Sequence, residues 1–248
     1  MQSSVLMFHV GRSGSRVVGK LLDQHEHIDW QGEALKRPRV EAFAAELADP
    51  ESYDTFAHLG SLAASRSADW LGVEAKFFHL RQRGIELAEF LDRVEEMGCH
   101  HFVALRRKNL LRKVVSSLVA KETRRYHRDR AAEAQLTQLT IDPAKVEIDA
   151  ESKPLVAYLD DYSARFSELE ERLAGRQFLD LTYEDHVSAD PRDAAGKVCE
   201  FIGLEPAEFD VPFGKTNPFP LSQIVTNLDQ VAECLAPTPY AWMASDGS

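Results

Sequence analysis

Cysteine is scarce in this 248-residue chain. Cys99, Cys199 and Cys234 stand far apart, which excludes a disulfide framework and offers no metal-ligand spacing; reduced, partly buried thiols are expected. Long apolar runs are missing as well. The one strongly apolar stretch near the start, Val5 to Val10, is too short for a signal segment or a membrane span and runs into a glycine loop, so a cytoplasmic protein with no integral membrane part is expected. Positive charge is in deficit, with 29 Lys and Arg against 40 Asp and Glu and a formal net charge of -11. Nucleic acid and anionic membranes both demand the opposite balance and are excluded as general partners. There is no internal repeat and no low-complexity tract. What remains, 44% hydrophobic content over this length, is enough to bury a core without disulfides or metals, and one domain over residues 1–248 is expected.

Five short apolar runs read as strands: VLMFHV from Val5, HIDW from His27, GVEAKFF from Gly72, HFVAL from His101 and QFLDL from Gln177. Helical patterns separate them. The spacing predicts helices over Ser15 to Gln24, over Ile85 to Met97 with Gly98 as C-cap, from an N-cap at Asn109 through Val119, and over Leu155 to Leu173. A fifth runs from the Asp190–Pro191 start to Gly203. Strands alternating with helices predict a single-domain, three-layer α/β fold around a mainly parallel sheet. Two regions break the rhythm, residues 34–68 and 128–152, and are expected to be acceptor-side insertions or lids. The proline-rich C-terminal piece is expected to wrap the domain and end in one more helix near Leu221 to Leu235.

In such sheets ligands bind beyond the carboxyl ends of the strands, and the residues there are strongly polar. GRSGSR (Gly11 to Arg16) follows the first strand, QGE (Gln31 to Glu33) the second, RRKN (Arg106 to Asn109) the fourth and TYED (Thr182 to Asp185) the fifth. Gly11 and Gly14 let the backbone approach a ligand, the following helix aims free N–H groups at it, Ser13 and Ser15 add hydroxyls, and Arg12 or Arg16 supplies charge. Between Arg106 and Arg130 ten Lys or Arg residues face only Glu122 and Asp129, a local excess that suits an anion or a solvated helix face. Arg107 near the sheet edge and Arg112 with Ser116 one turn further on form a receptor for a second phosphate. Lys76, inside the third strand, either points at the ligand or is an edge residue. Gly14 to Lys20 also spells GSRVVGK, most of a nucleoside-triphosphate loop, but Leu21 stands where a Ser or Thr should reach magnesium and Gly19 and Lys20 fall inside the helix.

These segments carry a resemblance. GRSGSRVVGKLL resembles the 5′-phosphosulfate loop of sulfotransferases that use 3′-phosphoadenosine 5′-phosphosulfate (PAPS). LRRKNLLRKVVSS resembles their 3′-phosphate strand and helix, and LTYEDHVSADP followed by CEFIGL their late strand and helix. The likeness is closest to bacterial members and, in GRSGS and the nearby GE, to tyrosylprotein sulfotransferases. It implies in-line transfer of a sulfuryl group from PAPS to a hydroxyl, less readily an amine, with no metal. Arg12 would stabilise the leaving phosphate, Gly11 to Arg16 would cradle the phosphosulfate, and Arg107 and Ser116, with Lys215 of the KTNP turn, would hold the 3′-phosphate. Glu33 would be the general base, with His9, His25, His27, His58 and His79 in reserve. Many cytosolic members carry Lys where this chain has Arg12, which keeps the charge and loses the readier proton donor. A small-molecule or carbohydrate acceptor is expected, and nothing in the sequence speaks to oligomeric state. Two rivals are a nucleotide or small-molecule kinase using GSRVVGK and a non-catalytic anion- or nucleotide-binding protein.

Overall fold

A computed structural model describes Met1 and residues 3–36, 54–148 and 151–245. All five expected strands are present: β1 (Ser4–His9), β2 (Ile28–Trp30), β3 (Trp70–Lys76), β4 (His101–Arg106) and, last in the chain, β7 (Gln177–Thr182). They form one fully parallel sheet in the order β2-β3-β1-β4-β7. The chain leaves β1 toward one edge and crosses to the other side of it at β4. That puts the loop after β1 at the reversal of strand order, where open sheets bind ligands.

The strands read as continuous apolar runs because both faces are covered. Along β1, Val5 and Met7 join one core cluster and Leu6 and Phe8 the other, the two-residue alternation of a pleated strand. The first face lies under α1 (Ser15–Leu22) and α8 (Pro191–Phe201), through Val18, Leu21, Leu22, Ala194 and Val198. The second lies under α2 (Thr55–Ser65), α3 (Phe77–Gln82), α4 (Leu87–Glu96) and the carboxyl half of α6 (Leu155–Leu173). The result is the three-layer α/β sandwich that the sequence predicts.

A third cluster sits beside the sandwich. There α5 (Leu110–Thr123) packs with the first half of α6, the strand β5 (Val146–Ile148), and the two short helices α9 (Leu221–Ile224) and α10 (Leu228–Leu235). The single helix expected near Leu221 to Leu235 is therefore two. Its backbone is diverted between them: Thr226 N–H bonds Leu139 C=O at 2.9 Å, and Asn227 closes on Ile141 through both its amide oxygen and its amide nitrogen. The same contacts pin the polar 128–152 segment, which also pairs Asp129 with Phe213 and forms an antiparallel hairpin of β5 with β6 (Glu151–Lys153). Of the 34–68 segment, residues 37–53 lie outside the described residues. Its later part is α2, whose N-cap Asp54 accepts hydrogen bonds from Phe56 and Ala57 N–H. Among the described residues no helix is long and apolar enough to cross a membrane.

Candidate functional site

The loop after β1 turns on two left-handed residues, Arg12 (φ 70°) and Gly14 (φ 85°). Gly14 can only be glycine: a Cβ there would stand 2.7 Å from Val187 Cγ1 and 3.2 Å from the Tyr183 ring. Those contacts come from α7 (Tyr183–His186) and the residue after it, so the TYED turn forms the back of the loop. Arg12 carries a side chain in a conformation that disfavours one, and its carbonyl is held there by Arg107 Nη1 at 2.8 Å. Ser13 is buried and donates to Val10 C=O at 2.8 Å, closing the loop from inside. Ser15 opens α1 and turns inward, while Arg16 is exposed one position on.

Two anion receptors expected at separate points of the sheet edge meet here. Arg12 Nε donates to Ser116 Oγ at 2.9 Å, and its Nη1 reaches Tyr126 C=O. Arg107 lies behind the loop with its side chain 11% exposed, 3.8 Å from Glu184 and 4.5 Å over the Tyr183 ring centroid. Burial first, and then the neighbouring Arg107, push the Arg12 guanidinium down to about 10; burial likewise lowers Arg107, with Tyr183 and Glu184 opposing. Both stay cationic at neutral pH, and Arg107 Nε is buried without a hydrogen-bond partner. Two guanidiniums crowded in this way attract an anion. Arg112 gives an N–H to Phe219 C=O at 3.2 Å, and its charge acts on Arg107. Lys215 donates to Ser188 Oγ at 3.1 Å, next to the Val187 that touches Gly14.

Across the loop, Glu33 pairs with Lys76: Oε1 and Nζ are 2.7 Å apart, with the side chains 30% and 22% exposed. Lys76 Nζ lies next to Gly11, 3.9 Å from where a Cβ on it would stand. Burial acts to raise the Glu33 carboxyl, but the charge and hydrogen bond of Lys76, helped by His9 and His79, carry it below the ordinary range. His79, 3.8 Å from Glu33 Oε2, is pushed down to about 4 by burial and then by Lys76, so at neutral pH it is a neutral imidazole. The other reserve histidines are engaged elsewhere: His25 contacts Glu205 C=O and His27 contacts Asp69, while His58 lies in α2.

Beneath both sits a buried carboxylate that sequence reasoning missed. Glu74 accepts from Trp30 Nε1 at 2.8 Å and bonds Ser15 under the first turn of α1. Its Oε2 is 3.0 Å from His9 Nε2, off the line of a good hydrogen bond. Burial raises it, yet His9, Trp30 and Ser15 together bring it down to about 2. Ligand atoms of His9, Glu33 and Glu74 fall within 4.8 Å of one another, a spacing that suits a metal ion. The ammonium of Lys76 already neutralises Glu33, and Glu74 is taken up by Trp30 and Ser15, so no metal ligand is assigned.

A pocket opens beside Gly11 and Lys76, walled by Phe77, Phe78 and Tyr162 and edged by Arg81 and Asp161. Behind Tyr162, the fully buried Lys113 of α5 donates to its hydroxyl and lies 4.2 Å from its ring centroid. The cationic loop, the carboxylate–ammonium pair and the pocket thus share one edge of the sheet. The GSRVVGK lysine does not: Lys20 sits at the exposed end of α1, bonded to Asp23 at 2.7 Å.

No protein-family model and no curated protein matches the chain. Among solved structures it is similar to a sulfotransferase from Alicyclobacillus acidocaldarius, at 13% identity over 96% of this chain and 92% of that one, with a TM-score of 0.48. A likeness of that size carries no argument about chemistry.

Proposed function

We propose that the protein is a sulfotransferase that moves the sulfuryl group of PAPS to a hydroxyl acceptor. The observation that carries this reading is the meeting, at the reversal of strand order, of a glycine loop crowded by Arg12 and Arg107 with the Glu33–Lys76 pair 2.7 Å apart at the mouth of a pocket. A doubly anionic nucleotide relieves the crowded guanidiniums. Its phosphosulfate lies along Gly11 to Arg16 and exchanges for the contacts that Arg12 makes with Ser116 and Tyr126. Ser116, once released, joins Arg107 at the 3′-phosphate, with Lys215 as a further cation on the loop side.

The acceptor oxygen then forms a bond to sulfur as the bond from sulfur to the bridging phosphate oxygen breaks, and the electron pair leaves on the phosphate. Arg12 and the N–H groups at the start of α1 meet that charge. Glu33 takes the acceptor's proton, and the small opening beside Gly11 marks the side from which the acceptor approaches. The lysine that a kinase reading would use, Lys20, sits at the exposed carboxyl end of α1 beside Asp23, which favours the transferase reading.

Turnover of sulfur-labelled PAPS against a panel of phenols, sugars and amines tests the reading. Wild type is expected to label an acceptor, and Arg12→Ala and Glu33→Gln each to lower the rate by about 100-fold or more. Labelling that needs magnesium and ATP, or variants as fast as wild type, would refute it. Tight nucleotide binding with no labelling of any acceptor would favour the non-catalytic binding protein.

A further inference from the structure

We infer that Lys76 is a donor-sensing switch on the proton acceptor: its ammonium sits on Glu33 until a phosphosulfate group enters the loop, then turns to the sulfuryl oxygens and leaves Glu33 able to take the acceptor's proton. This rests on the sulfuryl-transfer reading above and adds a residue and an order of events to it.

The geometry places Lys76 Nζ between its two stations. It is 2.7 Å from Glu33 Oε1 on one side. On the other it lies 3.9 Å from where a Cβ on Gly11 would stand, within van der Waals reach of the first residue of the cradle. Lys76 is the last residue of β3 and the N-cap of α3, which fixes its backbone and leaves the long side chain to swing. The terminal sulfuryl group adds a negative charge beyond the position of the 5′-phosphate, a second anionic partner for the ammonium.

What Glu33 becomes once Lys76 leaves follows from the groups around it. Facing it are Lys76 and Glu74 from β3, His9 from β1, His79 from α3, and His127 from the segment after α5. Glu74 stays ionised on its own partners and repels a second negative charge nearby. His79 is neutral at neutral pH, and His127 is lowered by burial and by Arg16 and Arg12. Burial is the largest single influence on Glu33 and acts upward; Lys76 is the largest that acts downward. With Lys76 gone, the largest downward influence is lost and the carboxylate binds a proton more strongly, which makes it the better base. The free enzyme thereby keeps Glu33 ionised and occupied, and the base becomes effective only when a sulfuryl group is present to be transferred.

Proton uptake on ligand binding reads the switch directly. Calorimetry at mildly acid pH, in two buffers of different ionisation enthalpy, compares PAPS with adenosine 3′,5′-bisphosphate, which lacks the sulfuryl group. PAPS is expected to bind with uptake of a substantial fraction of one proton, and the bisphosphate with clearly less. The excess uptake should vanish in Glu33→Gln and survive in Lys76→Arg. In ligand-free Lys76→Met, carbon NMR of the Glu33 carboxyl should show titration at higher pH than in wild type. Equal uptake with both nucleotides in wild type, or an unchanged Glu33 titration in Lys76→Met, overturns the switch and leaves the transferase reading standing. If neither nucleotide binds, the transferase reading fails and the switch with it.

Discussion

Arg12 concentrates the electrostatic tension of the molecule. It is a non-glycine residue held in the left-handed region, its carbonyl bound by one guanidinium and its own guanidinium lowered to about 10. Glu74 is its opposite, a carboxylate whose surroundings are fully committed to its charge. Of the two buried hydroxyls in the loop, Ser13 bonds Val10 C=O and Ser15 bonds Glu74. Because the folded-state pKa of Glu74 is depressed to about 2 from 4.5, its stabilisation is fully present above the unfolded value and is lost as pH falls from there toward about 2. Glu74→Gln is therefore expected to lower stability by on the order of 3 kcal/mol at neutral pH. In urea titrations the gap to wild type should narrow steadily below about pH 4.5; a gap that is constant with pH would show that Glu74 acts through shape and not charge.

At the scale of elements, what was legible follows from what the sequence signals locally. β1, β3, β4 and β7 read as apolar runs in sequence, and α1, α4, α5, α6 and α8 carry their own apolar stripes, with side-chain N-caps at Asn109 and Asp190. The β5–β6 hairpin was not legible, because VEI and ESK are three residues each and mostly polar. The break between α9 and α10 depends on partners near Leu139, far away in the chain. The site divides in the same way. Gly11 to Arg16 announce themselves as a loop, and Glu33 follows a strand. The pairings Lys76 with Glu33, His9 with Glu74, and Trp30 with Glu74 across 44 positions exist only once β2, β3 and β1 lie side by side.

That seam is held by two glycines without which Trp30 has no seat. A Cβ on Gly72 would fall 1.9 Å from the indole, and one on Gly19 would fall 2.4 Å from its Nε1 and 2.7 Å from Glu74. Gly72→Ala is expected to cost about 1–3 kcal/mol by overpacking, and Trp30→Ala to cost about as much as a large core truncation. The double variant should be markedly more stable than the sum of the two losses predicts. Additive losses by thermal denaturation would place the strain somewhere other than this contact.

For the whole molecule, the net charge of -11 conceals how the basic 106–130 segment is used. Arg106 pairs with Asp180 and Glu170, Lys108 with Asp185, and Lys121 with Glu147. Lys113 is buried against Tyr162 and Arg112 reaches Phe219. Five of the ten basic residues in that segment are thus engaged with other parts of the chain, and Arg107 joins Arg12 at the loop. The account therefore demands a ligand with negative charge at two points, matched to this loop and to Ser116. Calorimetric binding of adenosine 3′,5′-bisphosphate, 5′-AMP and ATP without magnesium, on wild type and Ser116→Ala, measures that demand directly. The account predicts tight binding of the 3′-phosphorylated nucleotide alone, weakened by about 1.5–3 kcal/mol in Ser116→Ala as expected for loss of a charged hydrogen bond. Equal binding of 5′-AMP, or preference for ATP, would contradict it.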